Sequence, residues 1–298
     1  MDYNEFKNKL LQHVKSRLEN AEIRKYTKNN SIEKEGIYIR EDGKNCNPLI
    51  HLDDLYGLYK LTGDIEGVAE FVLEIVRTTS SNIDVQTTLG SWEKVQSRLT
   101  IRLINSAWNQ KFLQGVPHRD LMDLSLVVYM DFVKNAEGVV SMAVTSGLLE
   151  IWEIDEETLF QTALNNLQKE KFIIRDMEEV IQELSGEQRK PTPYDGLNYV
   201  MTNTERQFGA RGMLRTDLIT QFAETVNADL YILPNSINDI ILTPVIKELT
   251  DEDLNDMMTV IKVFNKPEKD SLSDNIYYFS RESGAISIYT PETETAVL

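Results

Sequence analysis

Apolar positions along the first eighty residues recur at helical spacing, then in short runs, then at helical spacing again. Phe6, Leu10, Leu11, Val14 and Leu18 share one face of an opening amphipathic helix, with lysines and glutamates between them. Ile23–Thr27, Ile37–Arg40 and Pro48–Leu52 read as short strands separated by Asn-rich and Asp-Gly turns. Asp53–Leu61 reads as one short helix or an irregular turn. Ile65, Val68, Phe71, Val72, Ile75 and Val76 predict a helix from Asp64 to Ser80, with Asp64 as its N-cap. Val95, Leu99, Leu103, Ile104 and Ala107 predict a second long helix over Ser91–Leu113, which Gly115-Val116-Pro117 breaks.

Beyond that break the pattern changes. Leu124–Phe132 is continuously apolar and β-branched, a run that needs cover on both faces and belongs at the centre of a sheet. Val139–Val144 follows as a second strand, and Ser146 and Asp155 start helices, the later one spanning Glu156–Lys169. Arg175–Leu184 reads as a helix and Ser185–Gly196 as a surface loop or linker. Strands are expected at Tyr199–Thr202, Gly209–Leu214, Leu230–Leu233 and Ile240–Thr243, with helices at Thr216–Asn227 and Asp251–Phe264. A hairpin, Ile276–Phe279 with Ala285–Tyr289, precedes a solvated tail, PETETAVL. Leu126–Phe132, Val139–Val144 and the helix from Ser146 echo Tyr199–Thr202, Gly209–Leu214 and the helix from Thr216, either as a duplication or as a chance match. The element order predicts an α+β fold, with a mixed or antiparallel central sheet flanked by several helices. It divides into an N-terminal half, 1–115, and a C-terminal half, 116–298, or forms one integrated unit. Leu124, Leu126, Val127, Val128, Tyr129 and Met130 are expected in the core, and Ile232, Leu233, Ile240, Ile241 and Leu242 in the same sheet or one packed against it.

Charge sharpens this division. The 298 residues carry 31 Lys and Arg against 48 Asp and Glu, a net charge of −17. Residues 1–120 hold 17 of each sign, so residues 121–298, with 14 basic and 31 acidic groups, hold all of the excess. Such a balance argues against direct binding to nucleic acid and fits either a self-repelling soluble surface or an acidic face for a basic protein partner. A single cysteine, Cys46, rules out an internal disulfide framework and has no local cluster of His or Lys to activate it. No apolar run is long enough to span a bilayer and the charged start is not a signal peptide, so no membrane contact and a cytoplasmic setting are expected.

Several segments look familiar together: VPHRDLMDLSLVVYM (Val116–Met130), YVMTNTERQFGARGML (Tyr199–Leu214) and ADLYILPNSINDIILTP (Ala228–Pro244). With MDYNEFKNKLLQHVKSRLE at the start and SLSDNIYYFSRE near the end, they resemble an uncharacterised bacterial family, a domain of unknown function common in anaerobic Gram-positive bacteria. The resemblance spans nearly the whole chain. It implies one intracellular unit and brings no residue of assigned role.

Candidate chemistry is sparse. His118, Arg119, Asp120 and Asp123 put a base, a cation and two carboxylates within six positions. A hydrolase could use His118 as general base and Arg119 to hold an anion. The structural alternative is a salt-bridged helix start, with Arg119 and Asp123 paired across one turn. Arg206 and Arg211, in a polar stretch between two expected strands, are candidates for binding an anion or a partner's carboxylate, or are surface arginines of a hairpin. Asn235 and Asp239 are binding candidates or turn residues. Tyr277, Tyr278 and Phe279 form an exposed anchor or alternate in burial along a hairpin. No phosphate loop, dinucleotide fingerprint, nucleophile elbow or metal-binding spacing occurs in the sequence, so no cofactor and no metal are expected. The reading this supports is a non-enzymatic binding or regulatory protein acting through its acidic surface on a macromolecular partner, such as a basic nucleic-acid-processing protein. One alternative is a hydrolase or phosphate-handling enzyme centred on Pro117–Asp120 with Arg206 alongside. The other is a small-molecule sensor with an apolar cleft between the halves.

Overall fold

Asp2 and Asp64 open the helices of the N-terminal part: their carboxylates accept from the Glu5 and Gly67 amides, both at 2.9 Å. The structure, a computed structural model, describes residues 1–44, 47–80, 89–135, 138–186, 196–247, 249–264 and 270–290. It divides into two compact units, Met1–Gly90 and Ser91–Leu298. In the first, α1 (Tyr3–Lys15), α2 (Leu52–Thr62) and α3 (Ile65–Thr79) share one core with an antiparallel sheet of β1 (Ala21–Thr27), β2 (Glu33–Ile39) and β3 (Leu49–His51), in the order β1-β2-β3. Phe6, Leu10 and Val14 of α1 meet Val68, Val72 and Val76 of α3 there, each set spaced four residues apart so that it forms a single stripe.

The second unit is built on two sheets. In one, β6 (Leu124–Asn135) is central, paired with β4 (Leu99–Asn105) along one edge and with β5 (His118–Leu121) and β7 (Gly138–Ala143) along the other. Leu124, Val127, Val128 and Met130 are fully or almost fully buried, as the unbroken apolar run requires. The other sheet is six-stranded and contains Ile232, Leu233, Ile240, Ile241 and Leu242. Its strands are β8 (Phe172–Asp176), β9 (Tyr199–Asn203), β10 (Leu230–Ser236), β11 (Asp239–Pro244), β12 (Tyr277–Phe279) and β13 (Ile286–Ile288), in the order β13-β12-β10-β11-β9-β8. All pairings are antiparallel, and the helices α4 (Trp92–Val95), α5 (Gln110–Leu113), α6 (Ser146–Trp152), α7 (Glu156–Leu167), α8 (Met177–Ser185), α9 (Thr216–Val226) and α10 (Asp251–Phe264) flank them. The fold is α+β.

Four expectations change. Ser91–Leu113 is not one helix: it contains α4, the strand β4 and α5, and β4 pairs with β6 from Leu99↔Met130 to Asn105↔Leu124. The division between the two units falls after Gly90 in sequence, and the Gly115-Val116-Pro117 turn lies inside the second, between α5 and β5. Arg175 and Asp176 end β8, and Asp176 caps α8 by accepting from the Glu178 amide at 2.8 Å. Gly209–Leu214 is a 3-10 turn, because the backbone there is pressed against its neighbours: a Cβ on Gly209 would lie 2.3 Å from Thr202 Oγ1 and 2.5 Å from the Asn238 carbonyl. With that strand gone, the two strand-strand-helix repeats do not correspond. Cys46, most of the 185–196 segment and the PETETAVL tail lie outside the described residues.

Candidate functional site

Helix α7 ends at Leu167, and the chain turns through residues 168–171 before entering β8, which places Lys169, Glu170 and Lys171 side by side on a short connection. Glu170 faces inward. Arg211, from the 3-10 turn, donates to it with both prongs, Nε to Oε2 at 2.8 Å and Nη2 to Oε1 at 2.5 Å, and Asn203 Nδ2 donates to the same Oε1 at 2.7 Å. One turn later Arg215 grips Asp217 at 2.8 and 2.7 Å and sends Nη1 to the carbonyls of Glu170 and Leu167 at 3.2 and 3.5 Å. A guanidinium at the carboxyl end of α7 satisfies orphan carbonyls and matches the negative end of the helix dipole. Hydrogen bonds from Arg215 hold the Asp217 carboxyl below the usual carboxylate range.

Beside this pair, β4 carries a third interior arginine. The Arg102 guanidinium lies between the rings of Tyr129 and Phe208, 4.0 and 3.5 Å from their centroids, donates to Ser141, and approaches Asp131 at 3.6 Å. Its Nε has no hydrogen-bond acceptor among the described residues. Burial, with Arg211 adding like-charge repulsion, pulls it down to about 10. Phe208 and Arg206 adopt left-handed backbone conformations (φ 52° and 54°), a strained geometry for side chains of this size. Asn203 holds that loop closed: its Nδ2 donates to the Gln207 carbonyl and its Oδ1 accepts from the Gln207 amide, at 2.8 and 3.0 Å.

These elements border a cleft of about 560 Å³, lined by Arg98 and its neighbours Ser97 and Thr100, by Asp131 of β6, by Lys169, Glu170 and Lys171, and by Thr204, Glu205 and Arg211. Arg211 and Glu170 neutralise each other at its edge. Arg98, Lys169 and Lys171 are exposed, and none of them has an ion-pair partner among the described residues. The cleft joins residues from before and after the Gly115-Val116-Pro117 turn, but its lining is charged, where a sensor was expected to be apolar.

Of the individual residues named from sequence as candidate site residues, only Arg211 lines this cleft, with Thr204 and Glu205 of the same polar stretch. His118 begins β5, exposed, with Nδ1 donating to the Val116 carbonyl at 3.0 Å. Arg119 lies over the Phe160 ring and pairs with Glu157 at 2.5 Å, so the expected Arg119–Asp123 pair across a helical turn does not form. Asp120 accepts from Ser125 at 3.4 Å. Asp123 receives Ser273, Tyr277 and Asn275 at 2.6, 2.7 and 3.0 Å, tying the two sheets of the unit together; burial, with Asp123 beside it, pushes the Tyr277 phenol up. Arg206 pairs with Glu183 at 2.8 Å. Asn235 and Ser236 both donate to Asp239, at 2.8 and 2.7 Å, which closes the β10–β11 turn. Tyr277 and Phe279 are buried and Tyr278 is half-buried, as alternation along a hairpin strand requires. Sequence reasoning passed over Arg98, Arg102, Asp131, Lys169, Glu170, Lys171 and Arg215. The one local signal was the Lys-Glu-Lys triplet just past a helix end.

Among the described residues no group of three or more His, Cys, Asp or Glu side chains is arranged to hold a metal ion, and no helix is long and apolar enough to cross a membrane. A model of a family of unknown function, DUF5688, matches residues 3–281, and the chain belongs to that family. Neither the curated proteins nor the solved structures contain a match to it.

Proposed function

We propose that this chain is a non-enzymatic binding protein of the cytoplasm, and that the cleft of its second unit takes a small anionic ligand. One observation carries the reading. In a chain with 48 acidic against 31 basic residues, Arg98, Lys169 and Lys171 border one cavity without an ion-pair partner among the described residues. Unneutralised cations lining a concave site attract anions by focusing the field there. The hydrolase reading has less support: His118, Arg119, Asp120 and Arg206 are each engaged with a different partner, and none of them lines the cleft. The acid surplus of residues 121–298 supports a basic macromolecular partner for the outer surface, and the family resemblance supports a bacterial setting. The test is thermal melting of the full chain against a panel of anionic, neutral and cationic metabolites at constant ionic strength. A ligand at 100 times its Kd adds about 2.7 kcal/mol to the folded state. At least one anion is expected to raise the Tm in a way that Lys169→Ala with Lys171→Ala removes. A panel in which no anion does so overturns the reading.

A further inference from the structure

We infer that the ligand of this cleft is a phosphorylated polyol, a sugar phosphate. The inference rests on the anion-binding reading above and adds the chemistry of the ligand. The fork of Arg211, which would otherwise recognise a planar carboxylate, is already filled by Glu170. Two of the three remaining cations, Lys169 and Lys171, are ammonium groups on flexible stems, point charges suited to the spread charge of a phosphoryl group. Arg98 adds a guanidinium that grips phosphate equally well. Ser97, Thr100 and Thr204 bring hydroxyls whose side chains form no hydrogen bond among the described residues. A phosphomonoester offers three terminal oxygens to such donors, and a carboxylate offers two.

Besides Glu170, which Arg211 occupies, the cleft bears two carboxylates, Asp131 and Glu205. They repel a bare anion, but an ionised carboxylate has about four lone-pair sites and accepts readily from hydroxyl groups. Cations and hydroxyl donors together with carboxylate acceptors fit a ligand that is anionic at one end and rich in hydroxyls along its body. At about 560 Å³ the cavity is larger than an inorganic ion needs and falls within the range of small organic ligand sites.

Isothermal titration of the full chain with ribose 5-phosphate, ribose, inorganic phosphate and succinate, at one pH and ionic strength, tests this. Ribose 5-phosphate is expected to bind at least about tenfold more tightly than each of the other three, since each supplies only part of the match. Lys169→Ala is expected to weaken ribose 5-phosphate and phosphate alike, by roughly tenfold. Glu205→Gln is expected to narrow the gap between them, and circular dichroism and Tm confirm that each variant is folded. Succinate binding as tightly as ribose 5-phosphate overturns the ligand class and leaves the anion site standing. Phosphate binding as tightly as ribose 5-phosphate overturns the polyol part. Binding of none of the three anions overturns this inference, and the anion site itself falls only if the wider metabolite panel also fails.

Discussion

Arg211 and Glu170 form a two-pronged ion pair in which only 3% and 13% of the side chains remain exposed. Two charges taken that far from water depend on each other, because removing one leaves the other buried without its counter-charge. Arg211→Met and Glu170→Met are each expected to cost about 3–5 kcal/mol, whereas the double variant recovers most of the loss. Urea denaturation of the two single variants and the double variant measures the coupling. A double variant whose loss equals the sum of the singles would show that the pair does not act as a unit.

Gly209 and Gly147 should respond in opposite ways to the same added methyl group. At Gly209 the methyl would lie 2.3, 2.5 and 2.7 Å from Thr202 Oγ1, the Asn238 carbonyl and the Asn203 amide, two of them backbone atoms that cannot give way. Gly209→Ala is expected to destabilise by at least about 3 kcal/mol, the upper end of ordinary overpacking. At Gly147, in α6, the nearest atom outside its own helix is 4.0 Å away, so alanine is expected to be neutral or to stabilise by up to about 1 kcal/mol through helix propensity. Melting temperatures of the two variants decide it, and a tolerated Gly209→Ala would mean that the 203–209 loop is packed differently.

How far the sequence revealed this structure depended on whether a pattern had one period or two. Phe6, Leu10 and Val14 mark a helix because Leu11 joins their face and the polar Asn8 and Gln12 occupy the positions a strand would bury, and Leu124–Met130 mark a buried strand. Leu99 and Leu103 are four apart, a spacing that is one helical turn and also two strand periods, so they fit either element. Ile101, fully buried between them, settles the case for a strand, since a residue two positions on would point away from a helix's apolar face. The candidate cleft was almost wholly illegible. It gathers side chains from four segments far apart in sequence, and no local spacing records that meeting. Arg211 was noticed beside Arg206, but the left-handed residues Arg206 and Phe208 wind the loop between them, so one arginine pairs at the surface and the other is buried. Arginine and phenylalanine, unlike glycine or asparagine, carry no sequence signal for that conformation.

Tyr278 donates a hydrogen bond to Asp229, which also accepts from the Arg281 amide at 2.9 Å. The bond to Asp229 raises the phenol to about 12 from its usual 10.0, and the same bond lowers the Asp229 carboxyl. A raised acid in the folded state contributes stability in full below its unfolded value and loses it as pH climbs through the folded value, so this contribution should fade between about pH 10 and 12. The lowered carboxyl contributes above its unfolded value of 3.8 and is lost as pH falls through its folded value. In plots of Tm against pH, Tyr278→Phe should flatten the alkaline limb and weaken the acid one. An alkaline limb of unchanged slope in that variant would assign the loss to other groups.

Arg102 is nearly as interior as Arg211, with 11% of its side chain exposed against 3%, yet it is matched far less well: its carboxylate lies at 3.6 Å and its Nε has no acceptor among the described residues. Its favourable terms are the two flanking rings, the bond to Ser141 and the loose ion pair with Asp131. Each ring contributes on the order of 1 kcal/mol to a partly desolvated cation, and the burial of the charge opposes them. A methionine would keep contact with Tyr129 and Phe208, would need no hydrogen-bond partner, and favours the edges of aromatic rings. Arg102→Met is therefore expected to change stability by less than about 2 kcal/mol, well short of the cost of Arg211→Met. The comparison needs only the two single variants under one denaturant protocol. If Arg102→Met costs as much as Arg211→Met, the stacked guanidinium is a structural anchor of the strained Phe208 loop, and its incomplete hydrogen bonding is no measure of its contribution.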